Sequence, residues 1–370
     1  MNKTEYRDLI AFHPGYYIKD IIEDMEITQD DFAKRLGVSG KTISRLVNGR
    51  IPLSNELALG LSLMFGTSVD LWKNMQETYE LKCIEINKKK QMDEEIELVK
   101  LIDYKFFINL GLVQPARSSY DKVKELCNYF KIHSLKVLLK DDFLVNYRVA
   151  TSNINDNHII NTKAWLQTAI NIGKNTDSKP FDAKKLELYI PEIRKMTLQN
   201  PSIFLPRLKE IFYDCGVTLV LLPHLRNSDI NGAVKWINSE KVILAINDRR
   251  NYADTFWFSL FHEIKHVLQQ KHTLTLVNLN NKVLEKEIEN LNEMLEKEAD
   301  LFAQNTLIPY IEYKKFISMR AYSKQDICNF AEFIDIHPGI IVGRMQKDKL
   351  LEYYELNDLK DKYKIVYTGR

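Results

Sequence analysis

Cysteine is scarce in this chain: four residues in 370, at positions 83, 127, 215 and 328, with no CxxC pair. That scatter argues against a disulfide framework and points to reduced, buried thiols of a cytoplasmic protein. Glycine (13) and proline (10) are also few, while Lys, Glu and Leu are plentiful, which favours a helix-rich chain. An excess of one charge is missing too. Lys plus Arg number 52 and Asp plus Glu number 50, so any polyanion site must come from a local patch. No apolar run is long enough to span a bilayer, so no membrane partner is expected. The start, MNKTEYRDLIAFHPG, carries acidic residues and no apolar stretch, and is not read as a signal peptide. What is present is a globular composition, 45% hydrophobic and 28% charged, at a length that suits two or three domains.

Along the chain, the first 80 or so residues read as short helices. The charged run KKKQMDEEIELVK (88–100) has Met92, Ile96 and Val99 at helical spacing and reads as a connecting helix. Residues 100–210 look mainly helical, with Asn-rich breaks at 152–161 and 172–180. The runs VTLVLL (217–222), GAVKWI (232–237) and KVILAI (241–246) then read as strands. Helix patterns follow from Tyr252 to about Gln270 and from about Asn281 to Leu307. The tail from Ser323 holds two more, broken at HPG (337–339). HPG also occurs at 13–15, which is weak evidence for a repeat. The expected organisation is 1–82, helix-turn-helix; 83–204, helical connection; 205–310, a zincin-like domain with a small sheet; and 311–370, a helical tail. The expected fold class is helix-rich α+β.

The segment TQDDFAKRLGVSGKTISRLVN (28–48) has the parts of a helix-turn-helix. Thr28 can cap the first helix, with Asp30 and Asp31 in its first turn. Gly37 can end it, Val38 can plug the turn and Ser39 can cap the second helix. Ile43, Leu46 and Val47 then point inward. Ser39, Gly40, Lys41, Thr42, Ser44, Arg45 and Asn48 remain on the outer side as candidate contacts to a major groove. Lys34, Arg35, Lys41, Arg45 and Arg50 concentrate positive charge here, against acidic Glu23, Asp24 and Glu26 elsewhere in the region. With HPG at 13–15, Gly-Val-Ser at 37–39 and LWKNMQ at 71–76, the first 80 residues resemble the HigA-type antidote branch of the Xre/Cro helix-turn-helix family. The resemblance implies a repressor, often dimeric, that binds double-stranded operator DNA and can neutralise a toxin. A homodimer is therefore expected.

A second constellation is HEIKH at 262–266, inside TFWFSLFHEIKHVLQ. His262 and His266, at i and i+4, share one helix face and can share one metal. Glu263 can reach a water there as a general base. A catalytic zinc needs a third ligand. EKEADLFAQ (296–304) offers Glu296, with Asp300 one turn later to hold a ligand His by its far N–H. Glu298 is the rival ligand and lies on another side of that helix. Glu296 is favoured because it also places Asp300. Small Ala299 and Ala303 would let the two helices approach. The strand runs before the motif could supply a sheet edge for a substrate backbone. His133 and His158 have no partner at ligand spacing, His224 follows Pro223 in a turn that could line the cleft but is read as no more than a turn residue, His272 reads as a loop residue, and Trp257 reads as core.

HEIKH and EKEADLFAQNTLIP (296–309) resemble the ImmA/IrrE family of metallopeptidases. That resemblance implies zinc held by His262, His266 and Glu296, Glu263 as base, and a repressor protein as substrate. The tail 330–346 resembles the ending of fused antidote–peptidase chains. The expected function is a DNA-binding regulator with a zinc metallopeptidase module in cis. The alternative is an antitoxin whose second module is a sensor or scaffold.

Overall fold

A computed structural model of the chain describes residues 2–140, 155–270, 282–319 and 322–366. It forms two compact units, Met1–Leu98 and Val99–Arg370. The architecture is helix-rich α+β, with two small sheets.

The first unit opens with an antiparallel hairpin, β1 (Lys3–Tyr6) and β2 (Leu9–Phe12), pairing Lys3 with Phe12 and Tyr6 with Leu9. Four-residue strands are too short to show a period of two, so the sequence reading of helices alone passes over them. Helices α1 (Pro14–Asp24), α2 (Gln29–Leu36), α3 (Gly40–Val47) and α4 (Asn55–Phe65) follow. α5 (Val69–Leu101) is continuous through the expected boundary at 82/83, because nothing between 83 and 100 breaks a helix. Ile18, Phe32, Ile43, Leu46, Leu61 and Trp72 meet in one core.

The caps are local and legible. The Thr28 hydroxyl accepts from the Asp31 amide at 3.1 Å, and the Ser39 hydroxyl from the Thr42 amide at 3.1 Å. Gly37 ends α2 in the left-handed region, at φ 76°. Both HPG tripeptides prove to be helix starts. His13 Nδ1 accepts from the Gly15 amide at 2.9 Å, and His337 Nδ1 from the Gly339 amide at 3.2 Å. Proline takes the first helical position in each. Glycine comes next because a Cβ at Gly15 would lie 1.9 Å from the Leu46 carbonyl oxygen.

In the second unit, α6 (Tyr104–Asn109), α7 (Ser119–Phe130) and α8 (Asp156–Lys174) come first. Part of the Asn-rich break at 152–161 is in fact the start of α8. The Asn155 side chain caps it by accepting from the His158 amide at 3.2 Å, while 152–154 lie outside the described residues. α9 (Ala183–Lys195) and α10 (Pro201–Asp214) lead into β3 (Val217–Leu221), β4 (Gly232–Trp236) and β5 (Val242–Ile246). β5 is central, parallel to β3 and antiparallel to β4. All five β5 residues are buried, as its unbroken apolar run demands. Val242, Leu244 and Ile246 join the main core, whereas Ile243 packs on Gly173 of α8.

Helices α11 (Ala253–Leu268), α12 (Lys282–Leu307), α13 (Tyr310–Ser318), α14 (Lys324–Phe333) and α15 (Pro338–Lys347) complete the unit. Ala299 and Ala303 are buried, which lets α12 lie close to α11. The core takes in residues on both sides of 205–310, from Leu186 to Met345. Arg194 of α9 helps to bind it. Its guanidinium donates to the carbonyls of Thr306, Leu307, Ile334 and Asp335, where α12 and α14 run out of helical partners. α15 lies on α11, where Gly343 leaves room for Asp254; a Cβ there would be 2.1 Å from its carboxylate. Buried Asp254 pairs with buried Lys360 at 3.0 Å.

Of the cysteines, Cys215 alone is buried. Cys83, Cys127 and Cys328 are partly exposed, so the expectation of four buried thiols is corrected. His272 and Asn281 lie outside the described residues. Among the described residues, no helix is long and apolar enough to cross a membrane.

Candidate functional site

α11 is a largely buried helix that carries its polar residues on one side. Phe256, Leu260, Phe261, Ile264 and Val267 enter the core, and Trp257 is fully buried as expected. His262 and His266, one turn apart, are turned towards α12. Their Nε2 atoms stand 3.0 Å from each other. Glu296 of α12 lies across both, with Oε2 3.2 Å from His262 Nε2 and Oε1 3.4 Å from His266 Nε2. These three residues are a group able to hold a metal ion, their ligand atoms all within 4.8 Å.

The hydrogen bonds behind the cluster fix which atoms face it. Asp300 Oδ1 stands 3.0 Å from His262 Nδ1. A carboxylate can only accept, so Nδ1 carries a hydrogen, and Nε2 is the nitrogen that faces the cluster. Asp300 is itself 3.6 Å from Lys347. His266 Nδ1 is held at 2.8 Å by Gln269, a residue the sequence reading missed. The signal was available, because Gln269 lies at i+3 from His266, at the C-cap of the same helix. The rival ligand Glu298 faces elsewhere. It pairs with Lys265 at 2.8 Å and accepts from Gln269 Nε2 at 3.0 Å.

Two imidazole Nε2 atoms and a carboxylate thus converge on one small space. Acceptors converge like this only around a cation, whether protons or a metal. The titration behaviour agrees. Burial pulls His262 down, but its bonds to Asp300 and Glu296 more than offset this and raise it to about 10. His266 is raised on the same balance of burial against its Glu296 bond. Those bonds hold Glu296 well below the ordinary carboxylate range. The donor set also fits zinc. Two nitrogens at about 2.0–2.1 Å from one tetrahedral ion lie about 3.3 Å apart, close to the spacing found here.

Glu263 sits on the inner wall, 7% exposed, and burial raises its carboxyl group. It lies against Gly232, the first residue of β4. A Cβ on Gly232 would fall 2.7 Å from Glu263 Cγ and 2.9 Å from its Oε1. β4 pairs with β5 in its sheet and packs on α11. The cluster opens to solvent on the α12 side, where the Glu296 side chain is 61% exposed.

Two further histidines do other work. His158 pairs with Asp229, which also binds Arg249 at 2.8 Å. His224 lies 3.2 Å from Ser228, whose buried hydroxyl donates to the Leu225 carbonyl.

In the first unit, α3 points Ile43, Leu46 and Val47 into the core. Lys41, Ser44, Arg45 and Asn48, at i, i+3, i+4 and i+7, share the exposed side. Ser39 is exposed but acts as the helix cap, and its hydroxyl lies 2.8 Å from that of Thr42. The Asn48 side chain donates to the Ser44 carbonyl at 2.7 Å. Gly40 is half-buried under Asp30, where a Cβ would meet the carboxylate at 2.0 Å. The bare basic donors of this surface are therefore Lys41 and Arg45.

Two family models match the chain: a helix-turn-helix over residues 18–72 and an IrrE N-terminal-like domain over 220–344. The HTH-type transcriptional regulator YddM of Escherichia coli K12 is 31% identical over 68 residues, covering 18% of this chain and 72% of that protein. The antitoxin HigA-1 of Vibrio cholerae serotype O1 is 32% identical over 82 residues, covering 22% and 74%. A solved addiction module antidote protein of a HigA family, from Coxiella burnetii, is 24% identical; it covers 23% of this chain and 92% of its own, with a TM-score of 0.21. The chain belongs to the Xre-like helix-turn-helix regulators and joins that N-terminal domain to a C-terminal domain of the IrrE kind.

Proposed function

We propose that this chain is a transcriptional regulator with an in-cis zinc metallopeptidase module that hydrolyses a peptide bond in a regulatory protein or in itself. The observation that carries the reading is the convergence of His262, His266 and Glu296, with buried Glu263 beside them. His262, His266 and Glu296 would hold the zinc, and Asp300 would orient His262. When bound, zinc supplies Lewis acidity towards a peptide carbonyl and towards water.

Glu263 takes a proton from the attacking water and delivers it to the leaving amine. Its burial suits that task, because desolvation strengthens a carboxylate as a base. Ser39, Gly40, Lys41, Thr42, Ser44, Arg45 and Asn48 form the operator surface of a homodimer, with Lys41 and Arg45 as its principal charged contacts.

Metal analysis of the purified chain tests the reading. About one zinc per chain is expected, lost in His262→Ala and in Glu296→Ala. A folded wild type that takes up no zinc when it is supplied would overturn it.

The likeness to the antitoxin HigA-1 favours a second reading. In it the chain represses its own operon, binds a toxin through the first unit and uses the second as a sensor. Cleavage of no co-purifying protein by the zinc-loaded chain, with toxin binding intact, would select it.

A further inference from the structure

The metal reading leaves the residue that caps the C-terminus of α11 without a role. Gln269 follows His266 by three positions and is tied on three sides. Its Oε1 lies 2.8 Å from His266 Nδ1. Its Nε2 is 3.1 Å from the Leu295 carbonyl and 3.0 Å from Glu298 Oε2. Both of the latter partners can only accept. They therefore fix the orientation of the amide: the NH2 end must face α12 and the oxygen must face the imidazole. An amide oxygen accepts only, so His266 Nδ1 must carry a hydrogen, and Nε2 is the ring nitrogen that faces His262 and Glu296. Glu298 is anchored in turn by Lys265 at 2.8 Å.

We propose that Gln269 is a positioning residue that selects the tautomer and ring orientation of His266 for metal binding, held in that role by α12 through Leu295 and Glu298. The inference rests on the metal reading above and deepens it. It gives the two histidines unlike supports. His262 is backed by the charged Asp300, and His266 by a neutral amide. A carboxylate at 269 would stand against Glu298, so the amide orients the ring without adding a charge to a site that already holds Glu263, Glu296, Glu298 and Asp300. It also assigns Glu298 as a support for the site, apart from the ligands.

The test is the zinc affinity of the full chain, measured by competition with a chromophoric chelator alongside a thermal melt of the metal-free protein. Gln269→Met matches the shape and removes the acceptor. It is expected to weaken zinc about 10–100-fold with little change in the melt. Gln269→Glu restores an acceptor for Nδ1–H but loses the donations to Leu295 and Glu298, so it is expected to recover only part of that loss. Wild-type affinity in Gln269→Met, or an equal loss in both variants, overturns the proposal. If Gln269→Met does not fold, Gln269→Asn keeps the amide but draws the oxygen out of reach. The same loss is then expected, and wild-type affinity overturns the proposal. A wild type that binds no zinc fails the metal reading itself, and is told apart because it needs no variant.

Discussion

The helices α3 and α11 are each built on an i, i+4 pair of polar residues, yet they present it in opposite ways. α3 has eight residues and one apolar side, Ile43, Leu46 and Val47, and turns Lys41 and Arg45 to solvent. α11 has sixteen residues and is apolar on nearly all sides, so His262 and His266 lie in a seam against α12. The outward pair keeps long, mobile, hydrated side chains, suited to a charged surface read by contact. The inward pair has its rings fixed by Asp300 and Gln269 and its Nε2 atoms aimed at one point. Chemistry at a small centre needs that fixity; groove binding does not. Substitutions should therefore separate cleanly. Those in α11 change the centre, and those in α3 change DNA affinity while leaving the centre alone.

The largest expected effect is at Glu263. Glu263→Gln should keep full zinc content and lower the cleavage rate of the zinc-loaded chain by about 10²–10⁴-fold, the usual contribution of a positioned base. Full cleavage in that variant would remove Glu263 from the role. Next is the outward pair. Arg45→Ala and Lys41→Ala should each weaken operator binding by about tenfold and make its dependence on salt shallower by about one ion. Zinc content and melting temperature should be unchanged, since exposed substitutions of this kind usually alter stability by no more than about 0.5 kcal/mol. Binding that is unaffected across a gel-shift salt series would move the operator surface off α3.

The smallest effect concerns the two HPG helix starts, one in each unit. His13 is 2% exposed, with its ring edge-on to Tyr79 at 4.9 Å. Burial lowers it below its usual value, although a bond to the Ile51 backbone opposes this. The folded chain thus keeps His13 neutral and its Nδ1 free to cap α1, whereas the unfolded chain protonates near pH 6.5. The contribution is complete above that pH and is lost as pH falls towards the folded value. His337 stands differently, with Nε2 3.4 Å from the Asp361 carboxylate. Melting of the first unit should drop modestly between pH 7 and 5.5, and His13→Asn should flatten that slope while His337→Asn leaves it. Equal slopes in the wild type and His13→Asn would show that the cap is indifferent to protonation.

Much of this was legible from local chemistry. The Thr28 and Ser39 caps, the Gly37 stop and the inward Ile43, Leu46 and Val47 follow from side-chain hydrogen bonding and helical period, both set within four residues. The strand runs and the HEIKH helix were marked by apolar pattern in the same way. The β1–β2 hairpin was not, because four-residue strands carry too short a period, and Asn155 was read as part of a break because an N-cap and a loop use the same residue types.

The order of amino acids is enough to say which residues share a helix face: His262 with His266, Glu296 with Asp300, Lys41 with Arg45. Backbone geometry fixes that at a range of one turn. Which faces meet was decided only by the tertiary structure. Glu296 and Glu298 are two positions apart and chemically alike, and the packing of α12 through Ala299 and Ala303 turns one to the histidines and the other to Lys265 and Gln269. The same packing buries Glu263 against Gly232, where only a missing Cβ leaves room. Those choices depend on how close two helices and a strand can come, a property of the assembled core and not of any one segment.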